Sequence, residues 1–183
     1  MLRNNRTQAV KDAMLGFLFR GLTAEGSSGA ALFGALTAEA RKPHWYVEGK
    51  VPDTLDGRFA VLATLVALAL VRLERESAGG DLASVALTER FIEVMESEHR
   101  ELGLGDPTLG KTVRKLVGML ARRTELWRHA SPDSEQWADA TRESLYRHDV
   151  GDRALEQSGA ALREYSARLD EAALGELEKG VIP

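Results

Sequence analysis

The stretch with the most specific chemical spacing is a glycine-rich segment in the second half of the chain. Residues 105–112 read GDPTLGKT and match the pattern G-x-x-x-x-G-K-[ST] of phosphate-binding loops. That loop functions when a buried strand delivers it to a helix N-terminus, where amides, lysine and hydroxyl surround the phosphate. Residues 91–104, FIEVMESEHRELGL, are charged at helical spacing and do not indicate a strand. We therefore interpret residues 105–112 as a helix–helix turn, with an anion held near Thr108 as the weaker alternative.

The other titratable residues do not form a catalytic or metal-binding pattern. One Glu-x-x-His unit runs from Glu96 to His99, whereas di-iron helical bundles need two such units and two further glutamates. The histidines show no i, i+4 pairing, and the chain has no cysteine, so neither a zinc pattern nor a thiol nucleophile is present. Asp53 and Asp56 precede a predicted helix and are better explained as capping residues. We expect no catalytic residue, no metal, no cofactor and hence no enzyme.

Composition places the chain among ordinary globular proteins. Its 183 residues are 44% hydrophobic and 28% charged, which suits one domain with a sizeable core. The net charge of −4 argues against a protein that binds DNA. The lack of cysteine fits a reducing compartment, and no secretory signal is recognised. We therefore expect a soluble, intracellular protein.

One apolar segment organises the elements that would position any site. From Phe59 to Val71 the chain holds no charge and a single hydroxyl, that of Thr64. A helix that is apolar on all sides must be surrounded by lipid or by protein, and this run is shorter than the roughly 20 residues that cross a bilayer. The sequence therefore predicts an all-α, single-domain bundle of about six to seven helices around a central buried helix at Phe59–Val71.

Helical periodicity predicts the elements around this central helix. Residues 1–26 are expected to form an N-terminal amphipathic helix, over Thr7–Leu22, and a linker, and residues 27–183 are expected to form the helical body. The other expected helices are Ala30–Arg41 with Ala31, Leu32, Ala35 and Leu36 facing inward, Asp81–Leu102, Thr108–His129, one capped by Ser131 or Asp133, and one that follows Asp152. Pro43, Gly49 and Pro52 leave a long loop at Lys42–Leu55.

The loop Lys42–Leu55 contains two adjacent aromatic residues, Trp45 and Tyr46. Loops of this length tend to be functional or disordered, and two large aromatic side chains argue against disorder. We favour packing of Trp45 and Tyr46 over the end of the central helix. The alternative is an amphipathic anchor that contacts a partner.

Positive charge is concentrated on the helix that follows Gly110. Between Lys111 and Arg128 the chain has six basic residues and one acidic residue, Glu125. Four of the basic residues fall on one side of the helix, opposite its apolar positions: Lys111, Arg114, Lys115 and Arg122. We call these four residues the basic stripe. A solvated surface is the favoured interpretation, and contact with anionic lipid, RNA or an acidic partner is the alternative.

Three sequence segments together resemble the ubiquinol–cytochrome c chaperone family. They are VPDTLDGRFAVLATLVALALVRL at residues 51–73, GLGDPTLGKTVRKLVGMLARR at 103–123, and SLYR at 144–147. Arg41, Pro43, Trp45 and Tyr46 are similar to the arginine-proline-x-x-tyrosine stretch expected upstream. The resemblance runs from about Leu32 to Tyr165, which is most of the chain.

The resemblance implies an all-helical, non-enzymatic assembly factor for respiratory complex III. Such proteins bind newly made cytochrome b near the ribosome and membrane, and the mitochondrial members work with a small partner protein. For this chain it implies a cytoplasmic protein, peripheral at the inner membrane, with a small partner protein or a homodimer as further associations. Alternatives are a helical protein that binds a lipid, quinone or anion, and a self-associating scaffold.

Under this hypothesis the partner-binding residues lie in the segment Pro43–Arg58, with Arg41 just before it, and on the basic stripe within Lys111–Arg123. The candidates are Arg41, Pro43, Trp45, Tyr46, Pro52, Asp53, Thr54, Asp56, Arg58, Lys111, Arg114, Lys115 and Arg122.

Overall fold

The computed structural model describes residues 29–76, 78–101 and 109–183, and within these ranges all regular structure is helical. Numbered in chain order, the helices are α1 (Ala30–Ala40), α2 (His44–Val47), α3 (Leu55–Leu73), α4 (Gly80–Glu101), α5 (Leu109–His129), α6 (Glu135–Leu145), α7 (Asp152–Glu171) and α8 (Leu174–Leu177). The all-α prediction is confirmed. The six longer helices correspond to predicted elements, whereas α2 and α8, of four residues each, are absent from the prediction.

Two sequence predictions fall on residues outside the described ranges. They are the N-terminal helix and linker, within residues 1–26, and the first part of the glycine-rich turn, residues 105–108. None of the described helices has the length and hydropathy of a membrane-spanning segment.

Helix α3 is the predicted central helix. Thr54 caps it, because its side-chain oxygen accepts a hydrogen bond from the amide of Gly57 at 3.2 Å. Every residue from Val61 to Val71 is buried, and α3 packs against α1, α4, α5, α6 and α7. The one hydroxyl in the run, that of Thr64, donates to the carbonyl of Ala60 at 2.8 Å, so its burial leaves no unpaired donor.

Aromatic rings and a half-buried arginine join the surrounding helices to this centre. Trp127 of α5 and Trp137 of α6 meet edge to face, with ring centroids 4.8 Å apart. Arg72 of α3 donates to the carbonyls of Leu169 at 3.0 Å and Ala172 at 2.9 Å, so it satisfies acceptors at the C-terminal end of α7. These contacts hold α5, α6 and α7 at fixed positions around α3.

The orientation of α1 differs from the predicted one. Its buried residues are Leu32, Phe33, Leu36, Glu39 and Ala40. Ala31, which was expected to face inward, is exposed, and Ala35 is half-buried. The ring of Phe33 instead packs against that of Phe91 in α4, with centroids 6.5 Å apart. Burial of a phenyl ring removes far more apolar surface from water than burial of an alanine, so it decides the orientation.

Helix α6 begins after the predicted capping residues. Its N-cap is Ser134, and neither Ser131 nor Asp133 caps it. The backbone amide of Ser134 donates to the carbonyl of Ser131 at 3.0 Å, which closes a turn and delays the start of the helix.

Candidate partner-binding surface

Trp45 belongs to the core. Its side chain has 0% exposure, and its indole nitrogen donates to the carbonyl of Glu39 at 3.0 Å. The interpretation of Trp45 as an exposed anchor is therefore wrong, because a fully buried ring has no surface to offer a partner. Trp45 lies on α2 and belongs to the same buried hydrophobic cluster as the central helix α3, which agrees with the favoured interpretation that it packs against that helix.

Tyr46, the next residue, is half-buried and keeps part of its ring at the surface. Its hydroxyl donates to the carbonyl of Ala40 at 2.6 Å, and the guanidinium of Arg58 lies over the ring, 5.7 Å from its centroid. Burial raises the pKa of Tyr46, and the charge of Arg58 opposes that rise. Tyr46 thus joins the end of α1 to the first turn of α3.

Most of the other predicted loop residues are exposed, namely Arg41, Pro43, Pro52, Asp53, Thr54, Asp56 and Arg58. Asp53 and Arg58 form an ion pair of 2.6 Å, which lowers the pKa of Asp53. Two apolar side chains are also exposed here, Val47 at 56% and Leu55 at 68%. Apolar side chains among charged ones are the usual composition of a protein–protein interface.

The four residues of the basic stripe are all exposed on α5, as predicted. Among the described residues, Lys111, Arg114 and Lys115 form no ion pair. Arg122 differs, because its Nη2 lies 2.8 Å from Oε1 of Glu143 in α6. The stripe therefore consists of three unpaired cations followed by one paired cation.

Arg123, the next residue along α5, faces inward. Its Nη2 donates to the carbonyl of Ser144 at 3.1 Å. Burial lowers the pKa of Arg123, the charge of Arg147 lowers it further, and Glu143 opposes both. Ser144 also receives the indole N–H of Trp127 on its hydroxyl at 3.1 Å. These two hydrogen bonds and the Arg122–Glu143 ion pair attach the C-terminal end of α6 to α5.

Arg147 connects the loop to the basic helix. It follows α6 and forms an ion pair of 2.7 Å with Asp56, in the first turn of α3. The same guanidinium is close enough to Arg123 to depress its pKa. The sequence-based site omits Arg147. The only signal for it is its place in the SLYR segment, because a contact across 91 residues has no local periodicity to reveal it.

Tyr146, the residue before Arg147, connects the end of α6 to the loop at Gly49 and to α7 at Ser158. Its hydroxyl is hydrogen-bonded to the carbonyl of Gly49 and to the Oγ of Ser158, the latter at 2.7 Å. Burial raises the pKa of Tyr146, and the bond with Ser158 lowers it. A Cβ atom at Gly49 would lie 2.4 Å from the Ser158 Oγ and 2.7 Å from the Trp45 carbonyl oxygen, so this approach requires glycine.

Other candidate sites have less structural support. Within the described ranges, histidine and acidic side chains form no group of three that could hold a metal ion. A cavity between α3, α5, α6 and α7 has a volume of about 110 Å³, well below the roughly 300–1,000 Å³ of typical ligand pockets. A lipid or quinone does not fit there.

Comparisons with known proteins were made for the whole chain. A family model described as ubiquinol-cytochrome C chaperone matches residues 47–182. The fold is similar to the crystal structure of the Cbp3 homolog from Brucella abortus, with a TM-score of 0.73 and 25% sequence identity over 92% of this chain and 94% of that chain. No curated protein matches significantly.

Proposed function

The chain belongs to the ubiquinol–cytochrome c chaperone family, and we propose on that premise that it binds newly made cytochrome b and assists assembly of the ubiquinol–cytochrome c reductase complex. In this role it is a non-enzymatic chaperone. The family match spans α3 to α8 and thus includes the central helix, the basic stripe and the SLYR segment.

The contact between Asp56 and Arg147 is the observation that carries the proposed binding surface. It joins two segments that are far apart in sequence, the start of α3 and the end of α6. The guanidinium of Arg147 lies close enough to Arg123 of α5 to lower its pKa. We propose that the exposed loop residues and the exposed cations of the basic stripe on α5 act together as one binding surface, which we call the loop–stripe surface.

The loop–stripe surface suits a partner with both apolar and anionic groups. Val47, Leu55 and the exposed part of Tyr46 offer apolar contact, and Lys111, Arg114 and Lys115 offer positive charge. We propose that the first set contacts the client and that the second set contacts an anionic surface, either the ribosome or the membrane. On this proposal the protein is cytoplasmic and peripheral at the inner membrane, with a small partner protein or a second copy as further associates.

The proposal is tested in a strain that lacks the gene. Reintroduction of the wild-type gene is expected to restore the haem spectrum of cytochrome b and the assembled complex on native gels. Arg147→Glu is expected to reduce both, because it replaces an attractive contact with Asp56 by a repulsive one. The matched control is Arg142→Glu on α6, which makes the same charge change at an exposed side chain whose ion-pair partner among the described residues is Asp139, at 3.5 Å.

Two outcomes would contradict the proposal. Normal cytochrome b and normal complex in membranes of the deletion strain would remove the assembly function. Equal losses from Arg147→Glu and Arg142→Glu would leave the function in place but assign it to a different surface.

A further inference from the structure

Helix α1 is apolar on nearly all sides, yet only one of its sides is covered. Its single charged residue, Glu39, is buried. The opposite side is exposed at three apolar residues that share one helical face, Ala31, Gly34 and Ala38. We call this the outward face of α1. A helix that is apolar all round is normally enclosed on every side, as α3 is. The outward face of α1 is therefore an apolar surface without a partner among the described residues.

Helix α7 shows the usual pattern of a helix at the surface, which α1 lacks. The exposed residues of α7 include Arg153, Glu156 and Arg163. Within Ala30–Ala40, by contrast, no charged side chain is exposed. A Cβ atom added at Gly34 would meet open space, with no atom of another described helix within 4 Å. The outward face thus lacks the charges that normally face water, and it has room for larger side chains.

The first 28 residues of the chain lie outside the described ranges and join the described body at this helix. Gly29, the N-cap of α1, sits against α4, since a Cβ atom there would lie 2.3 Å from the carbonyl oxygen of Ala86. The C-terminal end of the chain passes the same place, because a Cβ atom at Gly180 would lie 2.5 Å from the carbonyl oxygen of Ala31. Val181, the next residue, is 51% exposed. The preceding segment therefore joins the body beside an exposed apolar surface.

The sequence of the preceding segment matches the outward face of α1. The amphipathic helix predicted over Thr7–Leu22, which we call the N-terminal helix, has Met14, Phe17 and Leu18 on its apolar face. These side chains are large, whereas those on the outward face of α1 are small, so the two faces are complementary in shape. Seven residues, 23–29, connect the two helices. Connections of about 2–8 residues are typical of antiparallel neighbours in helical bundles.

We propose that the N-terminal helix packs antiparallel on the outward face of α1 and covers it. A hairpin that turns at residues 23–29 pairs Leu18 with Gly34. One helical turn further from the connection, about four residues along each helix, it pairs Met14 with Ala38. The small residues of α1 let the two helix axes approach closely, because the separation of packed helices depends on the side chains at the contact.

The test is disulfide formation in the full chain, which is specific because the chain has no cysteine of its own. Two variants are oxidised at low protein concentration, Met14→Cys/Ala38→Cys and Leu18→Cys/Gly34→Cys. We expect both to form an intramolecular disulfide, detected by faster migration on non-reducing gels. The measured quantity is the rate at which this species forms.

Each variant has a matched control whose first cysteine lies two residues earlier, on the other side of the N-terminal helix. The controls are Asp12→Cys/Ala38→Cys and Gly16→Cys/Gly34→Cys. We expect them to form the disulfide at least about tenfold more slowly, because the bond requires Cα atoms within about 7 Å of each other. Equal rates in variant and control would show that the segment meets α1 without a fixed face, and would overturn the proposal.

A charge placed on the outward face tests the docking in a second way. Added to Met14→Cys/Ala38→Cys, the substitution Gly34→Glu is expected to slow disulfide formation by about tenfold or more, because docking would bury a carboxylate among apolar side chains. The matched control is Gly118→Glu on α5, another exposed helical glycine with open space at its Cβ position, and it is expected to leave the rate unchanged. A cooperative thermal transition in both glutamate variants confirms that each is folded. An equal rate in both would overturn the proposal.

The same gels distinguish docking within one chain from association of two chains. Disulfides formed only between chains, as dimers that disappear on dilution, would assign the outward face of α1 to a second copy and would also overturn the proposal. The result is independent of the proposed function, because the outward face of α1 shares no residue with the loop–stripe surface.

Discussion

The two halves of α5 have similar numbers of basic residues but use them differently. In the first half, Lys111, Arg114 and Lys115 are exposed and form no ion pair with a described residue. In the second half, Arg122 is paired with Glu143, and Arg128 with Glu74, at 2.8 and 2.7 Å. The second half is attached to α6 and to the end of α3, whereas the cations of the first half have no ion-pair partner among the described residues.

This difference shows why charge along a helix does not by itself identify a binding surface. The basic residues fall in two groups along the helix, at 111–115 and at 122–128, and within these residues only Glu125 supplies a local partner, to Arg128. The other acceptors come from elsewhere in the chain: Glu74 lies 54 residues before Arg128, and Glu143 lies 21 residues after Arg122. Both interpretations of the basic stripe, a solvated surface and a partner-binding surface, therefore concern Lys111, Arg114 and Lys115. Arg122 is already paired with Glu143.

The largest expected loss of stability comes from Trp127, the buried aromatic residue in the second half of α5. Trp127→Ala removes an indole that is 2% exposed, packs against Trp137 and donates to Ser144. We expect it to lower the free energy of unfolding by about 3–5 kcal/mol, as measured by urea denaturation. Trp127→Phe is the control and should retain most of the stability. A loss from Trp127→Ala below about 1 kcal/mol would contradict the assignment of this half as an attachment.

A smaller loss of stability is expected when a cation is removed from each half of α5 in turn, Arg123 from the second half and Lys115 from the first. Arg123→Ala removes the hydrogen bond to the Ser144 carbonyl and the packing of a half-buried side chain. We expect a loss of about 1–2 kcal/mol in the free energy of unfolding. Lys115→Ala, at an exposed residue, is expected to change it by less than about 0.5 kcal/mol. Equal losses of unfolding free energy for the two variants, measured by urea denaturation, would contradict the assignment of the second half as attached and the first half as exposed.

The sequence contains strong information about the core and little about the surface. The apolar run Phe59–Val71 predicts a central helix because a helix without a polar side must be surrounded by other protein. The burial of every residue from Val61 to Val71 confirms this prediction. The inward orientation of α1 is wrong for Ala31 because the ring of Phe33, whose partner Phe91 lies on another helix, dominates. The burial of Trp45 also depends on a residue of another helix. Its indole N–H donates to the carbonyl of Glu39, which lies in the last turn of α1 and has no i+4 partner within that helix.

Surface contacts between distant segments escape prediction from one sequence. Arg147 meets Asp56 only after α3 and α6 pack together, and neither residue stands out locally from its neighbours. The close approach of Gly49 to Ser158 likewise forms only after the loop packs against α7.

The smallest expected change in stability comes from removing Glu143 of α6, the partner of Arg122 in the second half of α5. Glu143→Gln eliminates the charge that pairs with Arg122, an exposed pair, so we expect the free energy of unfolding to change by less than about 0.5 kcal/mol. Arg122 then becomes a fourth unpaired cation on the basic stripe. Retention on a negatively charged cation-exchange matrix at low salt is expected to increase, measured as the salt concentration at elution. Unchanged retention would mean that Arg122 is already available in the wild type.

The most direct measurement of the central claim is photocrosslinking in living cells, with a photoreactive residue at Leu55, at Arg114 or at Arg128. The loop–stripe surface includes Leu55 and Arg114, whereas Arg128 is held by Glu74 about 21 Å along α5 from Arg114. We predict adducts with cytochrome b from Leu55, adducts with ribosomal proteins or lipid from Arg114, and none from Arg128. Identical adducts from all three residues, or only lipid and self-adducts from Leu55, would contradict a chaperone that binds its client through this surface.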